Sequence, residues 1–351
     1  MIEMASSETE PNLFALCKPT GILAKALYSG RKVVFLCLVI SIAINFLTWI
    51  LQFWLATNIT VKIYSAIYSI YRISYVTFIL LLYLNRKKYI DLFNHFERNA
   101  EISSLCPSLV RYLEKNRLSM KIQMVLSYSC FFVLRTMYLA ENFNSLEEIF
   151  LNTVHFIIKS QGLLSCFIFL RFFAETCLYI QCCFMQVEHQ IDIFRSSTDR
   201  FSVNNVRQIR HLYCLAVEIT EKFDYLLLPV TCFNFAFSLI EGHFAFANAI
   251  KYHNLTALLT CIGEFSILLL IVLQMISINH RATRIYEKVY SFSFRTDSLN
   301  ASKEVQLLLV RIAHADVGLT FLGIFVITPT CVTSLATISL TIALAAPTIL
   351  Y

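Results

Sequence analysis

The sequence predicts an all-α membrane protein, a bundle of seven transmembrane helices with a cytoplasmic amino terminus and an extracellular carboxyl terminus. Two observations predict this fold class. First, 57% of the 351 residues are apolar and only 15% are charged, whereas soluble domains carry about 25% charged residues. Second, Lys and Arg are concentrated in alternate connections between the apolar segments.

Seven segments are long and apolar enough to cross the hydrocarbon core, which takes about 20 residues. A spanning backbone must satisfy its own hydrogen bonds, so helices are expected. A cytoplasmic arm at 1–32 precedes a six-helix bundle at 33–278, a cytoplasmic linker helix at 279–313 and a seventh helix within 314–351. The predicted spans cover about 33–56, 61–84, 122–140, 149–185, 224–249, 256–278 and 314–349.

The distribution of cations predicts the orientation. The amino-terminal arm and the connections after the second, fourth and sixth spans hold 23 Lys and Arg, whereas the opposite connections hold only Lys62 and Lys251. Cytoplasmic loops carry such an excess, which places the amino terminus inside. The sequons at Asn58 and Asn254 fall in loops predicted to be outside, where glycosylation occurs, and the sequon at Asn300 falls inside.

The motif content argues against an enzyme. The sequence contains no His-Glu-x-x-His, no Gly-x-Ser-x-Gly and no phosphate loop. No Cys-x-x-Cys pair recurs at zinc spacing. We therefore predict no enzymatic activity, no cofactor and no bound metal. The net charge of +6 is explained by orienting loop cations, so the expected partner is membrane lipid and not nucleic acid.

Two stretches in the carboxyl-terminal half resemble a known family. Residues 296–325 run from a helix of mixed charge into Thr320, Leu322, Gly323 and Phe325, and residues 207–237 lead into the fifth span. They are similar to the arthropod gustatory receptors, which share a superfamily of seven-transmembrane ligand-gated channels with insect odorant receptors. The resemblance implies a subunit of a non-selective cation channel for small-molecule tastants. It also implies a homo- or hetero-tetramer in the plasma membrane of sensory neurons.

The last helix departs from the family pattern. Gustatory receptors close it with Thr-Tyr, five apolar residues and Gln-Phe, whereas this chain has Thr341, Ile342, Thr348 and Ile349. Conduction and assembly are therefore open, and a non-conducting accessory subunit is one alternative. A G-protein-coupled chemoreceptor is another, although it would place the loop after the second span outside, and the third span lacks an Asp-Arg-Tyr triplet.

The resemblance implies a ligand pocket in the outer half of the bundle, among helices two to six. Independently, Tyr64, Tyr68, Tyr71 and Tyr75 recur at the spacing of one helix face. Ionisable groups in spans usually face a cavity or a partner. The candidate ligand-binding residues are Tyr68, Tyr71, Arg72, Tyr75, Arg135, Tyr138, Lys159, Glu241, His243 and Glu264.

The alternatives for these residues are structural. The tyrosines also suit packing or an interfacial belt, Glu241 and His243 also suit solvated positions, and Glu264 and Lys159 also suit an ion pair. Arg171 and Glu175 have i, i+4 spacing and predict a local pair.

The last helix is rich in hydroxyl side chains, and in the family it lines the pore. Hydroxyls without charges suit a pore that passes cations without binding them tightly. Ser and Thr are equally ordinary in helix packing within membranes. Pro329 is predicted to loosen this helix. The candidate pore residues are Thr330, Thr333, Ser334, Thr337, Thr341 and Thr348.

Overall fold

A computed structural model describes residues 16–57, 59–100, 106–141, 146–196, 202–252, 255–294, 298–314, 317–334, 336–337 and 341. Its elements follow the order of the chain. They are α1 (Ile22–Ser29), α2 (Lys32–Leu55), α3 (Ile59–Leu84), α4 (Arg86–Asn99), α5 (Pro107–Glu141), α6 (Leu146–Ser196), α7 (Val203–Tyr252), α8 (Leu255–Ser293), α9 (Leu299–His314), β1 (Thr320–Phe321) and β2 (Phe325–Val326). A further helical stretch begins at Pro329 and is described through Ser334.

Within these ranges, α2, α3, α6 and α8 each carry a stretch long and apolar enough to cross a membrane. The two arms of α7 meet at Pro229 at an angle of 51° and make a fifth span if they are taken together. Proline removes a backbone donor and clashes with the preceding turn, which explains the bend. The predicted third span, 122–140, lies within α5.

The helices α5, α6, α7 and α8 extend far beyond the predicted spans. α6 has 51 residues, about 75 Å of helix, whereas the hydrocarbon core is about 30 Å thick. α1, α4 and α9 pack on the extended ends of α6, α7 and α8. This end carries the loops rich in Lys and Arg and is called the basic end. The half of the bundle farther from it is called the outer half.

The core of the basic end is tightly filled around α6, of whose apolar stretch 78% is buried. Tyr179 of α6 is fully buried, and its hydroxyl donates to the Phe93 carbonyl of α4 at 2.8 Å. The two rings meet edge to face at 5.2 Å. Buried tyrosines with a satisfied hydroxyl add packing area and directional contacts at once, which fixes α4 against α6.

Ion pairs connect the helices at the basic end. Glu304 of α9 lies 2.9 Å from Arg207 and 2.8 Å from Arg210, both on α7. The predicted pair of Arg171 and Glu175 is confirmed at 2.9 Å. Glu175 also accepts the amide protons of Thr20 and Gly21, so it holds the two residues that lead into α1.

The segment before the last helix differs from the predicted continuous helix at 314–349. Residues 320–326 form a two-stranded antiparallel hairpin in which Phe321 pairs with Phe325. Leu322 and Gly323 have φ values of 55° and 69°, a left-handed conformation that a helix cannot contain and that suits tight hairpin turns. The residues that carry the family resemblance therefore build this hairpin.

Side chains of α7 and α8 hold the hairpin in place. The Asp224 carboxylate accepts the Thr320 amide proton at 2.7 Å and its hydroxyl proton at 2.6 Å. The Leu322 amide donates to the Cys232 sulfur at 3.0 Å, and the Asn279 amide group donates to the Val317 carbonyl at 2.9 Å. The expectation that Pro329 loosens a helix is wrong, because Pro329 begins the helix, a position that favours proline.

Candidate functional site

A cavity of about 220 Å³ lies in the outer half, between α2, α3, α5, α6, α7 and α8. Its walls are mostly apolar and rich in aromatic rings, with a few polar and charged groups. This composition is typical of small-molecule sites, where apolar walls supply contact area and a few polar atoms fix orientation. The lining residues are Trp49, Tyr68, Tyr71, Arg72, Tyr128, Phe131, Phe132, Leu134, Ser160, Leu163, Cys166, Phe237, Glu241, Thr260, Glu264 and Ile267.

Stacked rings give the cavity one rigid wall. Tyr68 of α3 stacks on Trp49 of α2, with ring centroids 4.3 Å apart and planes inclined by 8°. One helical turn further, Tyr71 stacks on Phe237 of α7 at 3.7 Å and 7°. Phe237 also meets the edge of Tyr68 at 5.0 Å. The helical spacing of the two tyrosines thus builds one aromatic surface from three helices.

Arg72 brings a positive charge to this surface. The side chain is only 7% exposed, and its Nη1 donates to the Gly162 carbonyl of α6 at 3.0 Å. Its Cζ lies 5.5 Å from the centroid of the Tyr71 ring, which adds a cation–π contact. The Gly162 carbonyl and the face of the Tyr71 ring take the place of some of the water molecules that would hydrate the guanidinium in solution.

Gly162 makes this arrangement possible. A Cβ at this position would lie 2.5 Å from Nδ2 of Asn45 on α2. Asn45 is fully buried, and its Nδ2 donates to the Ile158 carbonyl at 2.8 Å. The missing side chain at Gly162 lets α2 approach α6 closely, next to the carbonyl that accepts the hydrogen bond from Arg72.

A hydrogen-bonded network lies at the basic side of the cavity. The hydroxyls of Tyr71 and Tyr75 are 2.6 Å apart, and both donate to Oδ1 of Asn234 on α7. The Cys166 sulfur of α6 lies 3.1 Å from the Tyr75 oxygen and 3.4 Å from the Tyr71 oxygen. The network joins α3, α6 and α7 directly beneath the aromatic wall.

Two carboxylates also line the cavity, and both are at least nine-tenths buried. Glu241 of α7 is 7% exposed and accepts a hydrogen bond from the Tyr68 hydroxyl at 2.9 Å. Glu264 of α8 is 8% exposed. With Arg72, they give the described lining one positive and two negative groups.

The structure brings five of the predicted ligand-binding residues to this one cavity: Tyr68, Tyr71, Arg72, Glu241 and Glu264. Tyr75 belongs to the network beneath it and does not line it. His243 packs on the Phe265 ring at 5.8 Å, and its Nδ1 lies 2.6 Å from the Leu239 carbonyl, so it too is not part of the lining. A role in ligand binding stays a prediction for all of them.

Other predicted positions lie outside the described residues. The side chains of Tyr64, Arg135, Tyr138 and Lys159 belong to this group, as do the whole residues Asn58, Asn254 and Thr348. Within the part of the chain that is described, no cluster of three or more His, Cys, Asp or Glu side chains is placed to hold a metal ion.

The candidate pore residues that are described lie on exposed parts of the last helix in the single chain. Four of their hydroxyls bond to the backbone of the preceding turn. Thr333 and Ser334 donate to the Thr330 carbonyl at 2.9 and 3.0 Å, and Thr337 and Thr341 donate to carbonyls four residues earlier, both at 2.9 Å. Such bonds let hydroxyls face an apolar environment without loss of a partner.

Sequence reasoning did not identify several residues that shape the cavity. Trp49, Phe237 and Phe131 are aromatic residues within apolar runs, and nothing distinguishes them from core residues of a span. Gly162 carries a weak signal, since a glycine inside a helical pattern suggests close packing. Asn45 and Asn234 are amide side chains within apolar spans, and polar groups there suggest contacts between helices.

Comparison with known proteins identifies the fold. No family model matches the chain, and no curated protein matches it. The structure is similar to that of the insect olfactory receptor OR5 from Machilis hrabei, with a TM-score of 0.64 over 95% of each chain and 13% sequence identity. The structure of the same receptor in complex with eugenol matches with a TM-score of 0.63 over 96% of each chain, again at 13% identity.

The predicted all-α membrane fold is confirmed, and it is the fold of an insect olfactory receptor.

Proposed function

We propose that the chain is a chemosensory receptor of the gustatory type, a subunit of a ligand-gated non-selective cation channel in the plasma membrane. Its ligands are small-molecule tastants that bind in the outer-half cavity. The observation that carries the proposal is this enclosed aromatic cavity with a buried arginine, found in the fold of a receptor that has been solved with eugenol. The proposal includes no enzymatic activity and no cofactor.

The proposed mechanism is a shift between closed and open populations. A ligand favours opening only if it binds the open form more tightly. α7 contributes Phe237 to the cavity, and its Cys232 and Asp224 bond to the hairpin before the last helix. A displacement of α7 at the cavity therefore acts on the segment that leads into the last helix, where Thr330, Thr333, Ser334, Thr337, Thr341 and Thr348 are the proposed pore residues.

The pore in this proposal is shared by four subunits, either identical or related. The exposure of the last helix in the single chain supports an assembly in which hydroxyl side chains face a common axis. Subunit counting by stepwise photobleaching of a fluorescent fusion at the cell surface tests this assembly. Four bleaching steps are expected, and a predominance of single steps would contradict it.

The channel is tested by recording currents from cells that express the chain while a panel of tastants is applied. Outside-out patches without nucleotide should keep the response, whereas a G-protein-coupled receptor would lose it. Glu264→Gln and Tyr71→Phe should shift the half-maximal concentration by about tenfold, the equivalent of about 1.4 kcal/mol of binding free energy. Arg98→Leu, on the exposed surface of α4, is the matched control and should respond as the parent does. Unchanged sensitivity in well-expressed cavity variants would contradict this binding site.

A non-conducting accessory subunit is the second candidate. It is favoured by Ile342, Thr348 and Ile349, where gustatory receptors have Tyr, Gln and Phe. Co-expression with a conducting relative distinguishes the two candidates. Currents from this chain alone exclude the accessory role, whereas altered ligand sensitivity of the relative, without currents from this chain alone, supports it.

A further inference from the structure

We propose that the cavity selects uncharged aromatic molecules that carry an oxygen able to accept a hydrogen bond, and that Arg72 makes this selection. The inference deepens the proposed function and rests on the cavity being the ligand site. It names the chemical class of the ligand from the groups in the lining that still need a partner.

The argument begins with the donors of Arg72. A guanidinium has five N–H groups and no acceptor. Among the described residues, the one hydrogen bond of Arg72 runs from Nη1 to Gly162, so both Nη2 and Nε lack a partner there, and of these two nitrogens only Nε is fully enclosed by protein. A buried donor without an acceptor costs free energy that a suitably placed ligand oxygen would recover. The Ser160 hydroxyl, also in the lining, is likewise buried without a partner in the described part of the chain.

The aromatic part of the ligand follows from the walls. Trp49 and Tyr68 are stacked on each other, and so are Tyr71 and Phe237, so the wall is already ordered before a ligand binds. A flat ring can stack against or meet the edge of such a surface without reordering it. Phe131 and Phe132 of α5 line the same space and add apolar contact area.

The neutral charge of the ligand follows from the balance of charges. Glu241 and Glu264 line the same cavity as Arg72, so a carboxylate ligand would meet two acidic side chains for each basic one. A cationic amine would approach the buried guanidinium and would leave its donors without an acceptor. Glu241 already accepts a hydrogen bond from Tyr68. A neutral carbonyl, ether or phenol oxygen meets the requirement of Arg72 at no electrostatic cost.

The test uses four compounds of nearly equal shape: acetophenone, cumene, benzoate and 1-phenylethylammonium. Binding to the purified full-length chain in nanodiscs is followed by tryptophan emission. The chain has two tryptophans. Trp49 lines the cavity, and Trp54 is 75% exposed. Trp49→Phe serves as the blank that corrects for absorption by the ligands. Affinities are expressed against free ligand concentration, because cumene partitions into lipid.

Acetophenone is expected to bind at least about tenfold more tightly than cumene, and benzoate and 1-phenylethylammonium more weakly than acetophenone. Arg72→Leu should abolish the preference for acetophenone over cumene, and Arg72→Gln, which keeps a donor, should retain part of it. Arg98→Leu is the matched control on the exposed surface and should keep the full preference. If Arg72→Leu does not fold, the ratio of acetophenone affinity to cumene affinity is compared between the parent chain and Arg72→Gln. A lower ratio in Arg72→Gln supports the inference, and an unchanged ratio contradicts it.

Three outcomes would overturn the inference. They are equal binding of acetophenone and cumene, tightest binding of either charged compound, and no binding by any of the four. The proposed function is judged separately by ligand-evoked currents. Currents evoked by cumene as readily as by acetophenone would leave the receptor proposal standing and remove the role of Arg72. Preferential binding of acetophenone by a chain that conducts neither alone nor with a relative would leave the role of Arg72 standing and remove the receptor proposal.

Discussion

At the scale of single residues, the cavity depends on where a side chain is absent as much as on where one is present. Gly162 allows the Asn45 amide to lie against α6, and its carbonyl accepts the hydrogen bond from Arg72. One position thus serves the packing of α2 on α6 and the placement of the only described cation in the lining. A methyl group at Gly162 would disturb both.

Gly162→Ala is expected to lower the free energy of unfolding by about 1–3 kcal/mol, because overpacking forces neighbouring side chains from their positions. The measurement is the thermal midpoint in mild detergent. Gly21→Ala is the matched control, since a Cβ there meets the flexible Arg171 side chain at 3.4 Å or more. Equal midpoints for the two variants would show that Asn45 moves away at little cost.

The tyrosine network makes a second prediction at this scale. Tyr71→Phe and Tyr75→Phe each remove one hydrogen bond to Asn234, which should cost about 1 kcal/mol apiece. The loss of unfolding free energy in the double variant should exceed the sum of the two single losses. The reason is that the two hydroxyls share one buried acceptor and also contact each other. A double-mutant cycle of unfolding free energies measures this coupling. Tyr83→Phe, which has no hydrogen bond in the described structure, is the control, and strict additivity would contradict a shared network.

At the scale of elements, the hairpin at 320–326 separates α9 from the last helix. It is a short two-stranded element, which is marginally stable alone, so its contacts with α7 and α8 must hold it. Asp224, Cys232 and Asn279 supply these contacts. α7 also lines the cavity, so a movement of α7 at the cavity would be transmitted to the hairpin.

Asp224→Ala is expected to release the hairpin from α7 while the bundle stays folded. Hydrogen exchange of peptides that cover residues 317–327 should then rise by at least about tenfold, since local opening becomes easier. Exchange within α6 should be unchanged. Asp91→Ala is the control, because among the described residues this carboxylate makes only an exposed pair with Arg98, at 3.7 Å. Unchanged exchange at 317–327 would contradict this prediction and show that the contacts of Cys232 and Asn279 hold the hairpin without Asp224.

At the scale of the whole molecule, the bundle has two unlike halves. The basic end is packed around α6 and connected by ion pairs such as that of Lys18 with Glu97 at 3.0 Å. The outer half encloses the cavity, and α2 exposes large apolar side chains there, among them Leu51 at 61% and Leu55 at 80%. Exposed apolar helices suit contact with lipid, so the surface of α2 in this half suits a membrane environment.

The orientation of these halves in the membrane is tested with a tag at each end of the chain. Because Lys and Arg remain preferentially on the cytoplasmic side, the amino-terminal tag should be stained only after permeabilisation. The carboxyl-terminal tag should be stained on intact cells. A third tag, inserted at the basic end in the exposed turn after α8 at Phe294, should behave as the amino-terminal tag does. The opposite pattern would contradict the inverted orientation and favour a G-protein-coupled receptor.

The sequence by itself determined the membrane class, the positions of the main helices and one face of the site. Length and composition decide which segments cross a bilayer, so the first two predicted spans agree with α2 and α3 to within two residues. The 3.6-residue period places Tyr68, Tyr71 and Tyr75 on one face whatever surrounds them. Costly ionisable groups such as Arg72 and Glu264 are recognisable in apolar runs without any structure.

Only the tertiary structure decided what these residues meet. Arg72 and Gly162 are 90 positions apart, and no local pattern connects them. The stack of Tyr71 on Phe237 likewise depends on how α3 crosses α7. The hairpin replaced a predicted stretch of helix because Asp224 and Cys232, distant in sequence, supply the partners that its backbone needs. Contacts between helices are fixed by the complementarity of whole surfaces, and a linear pattern does not contain that information.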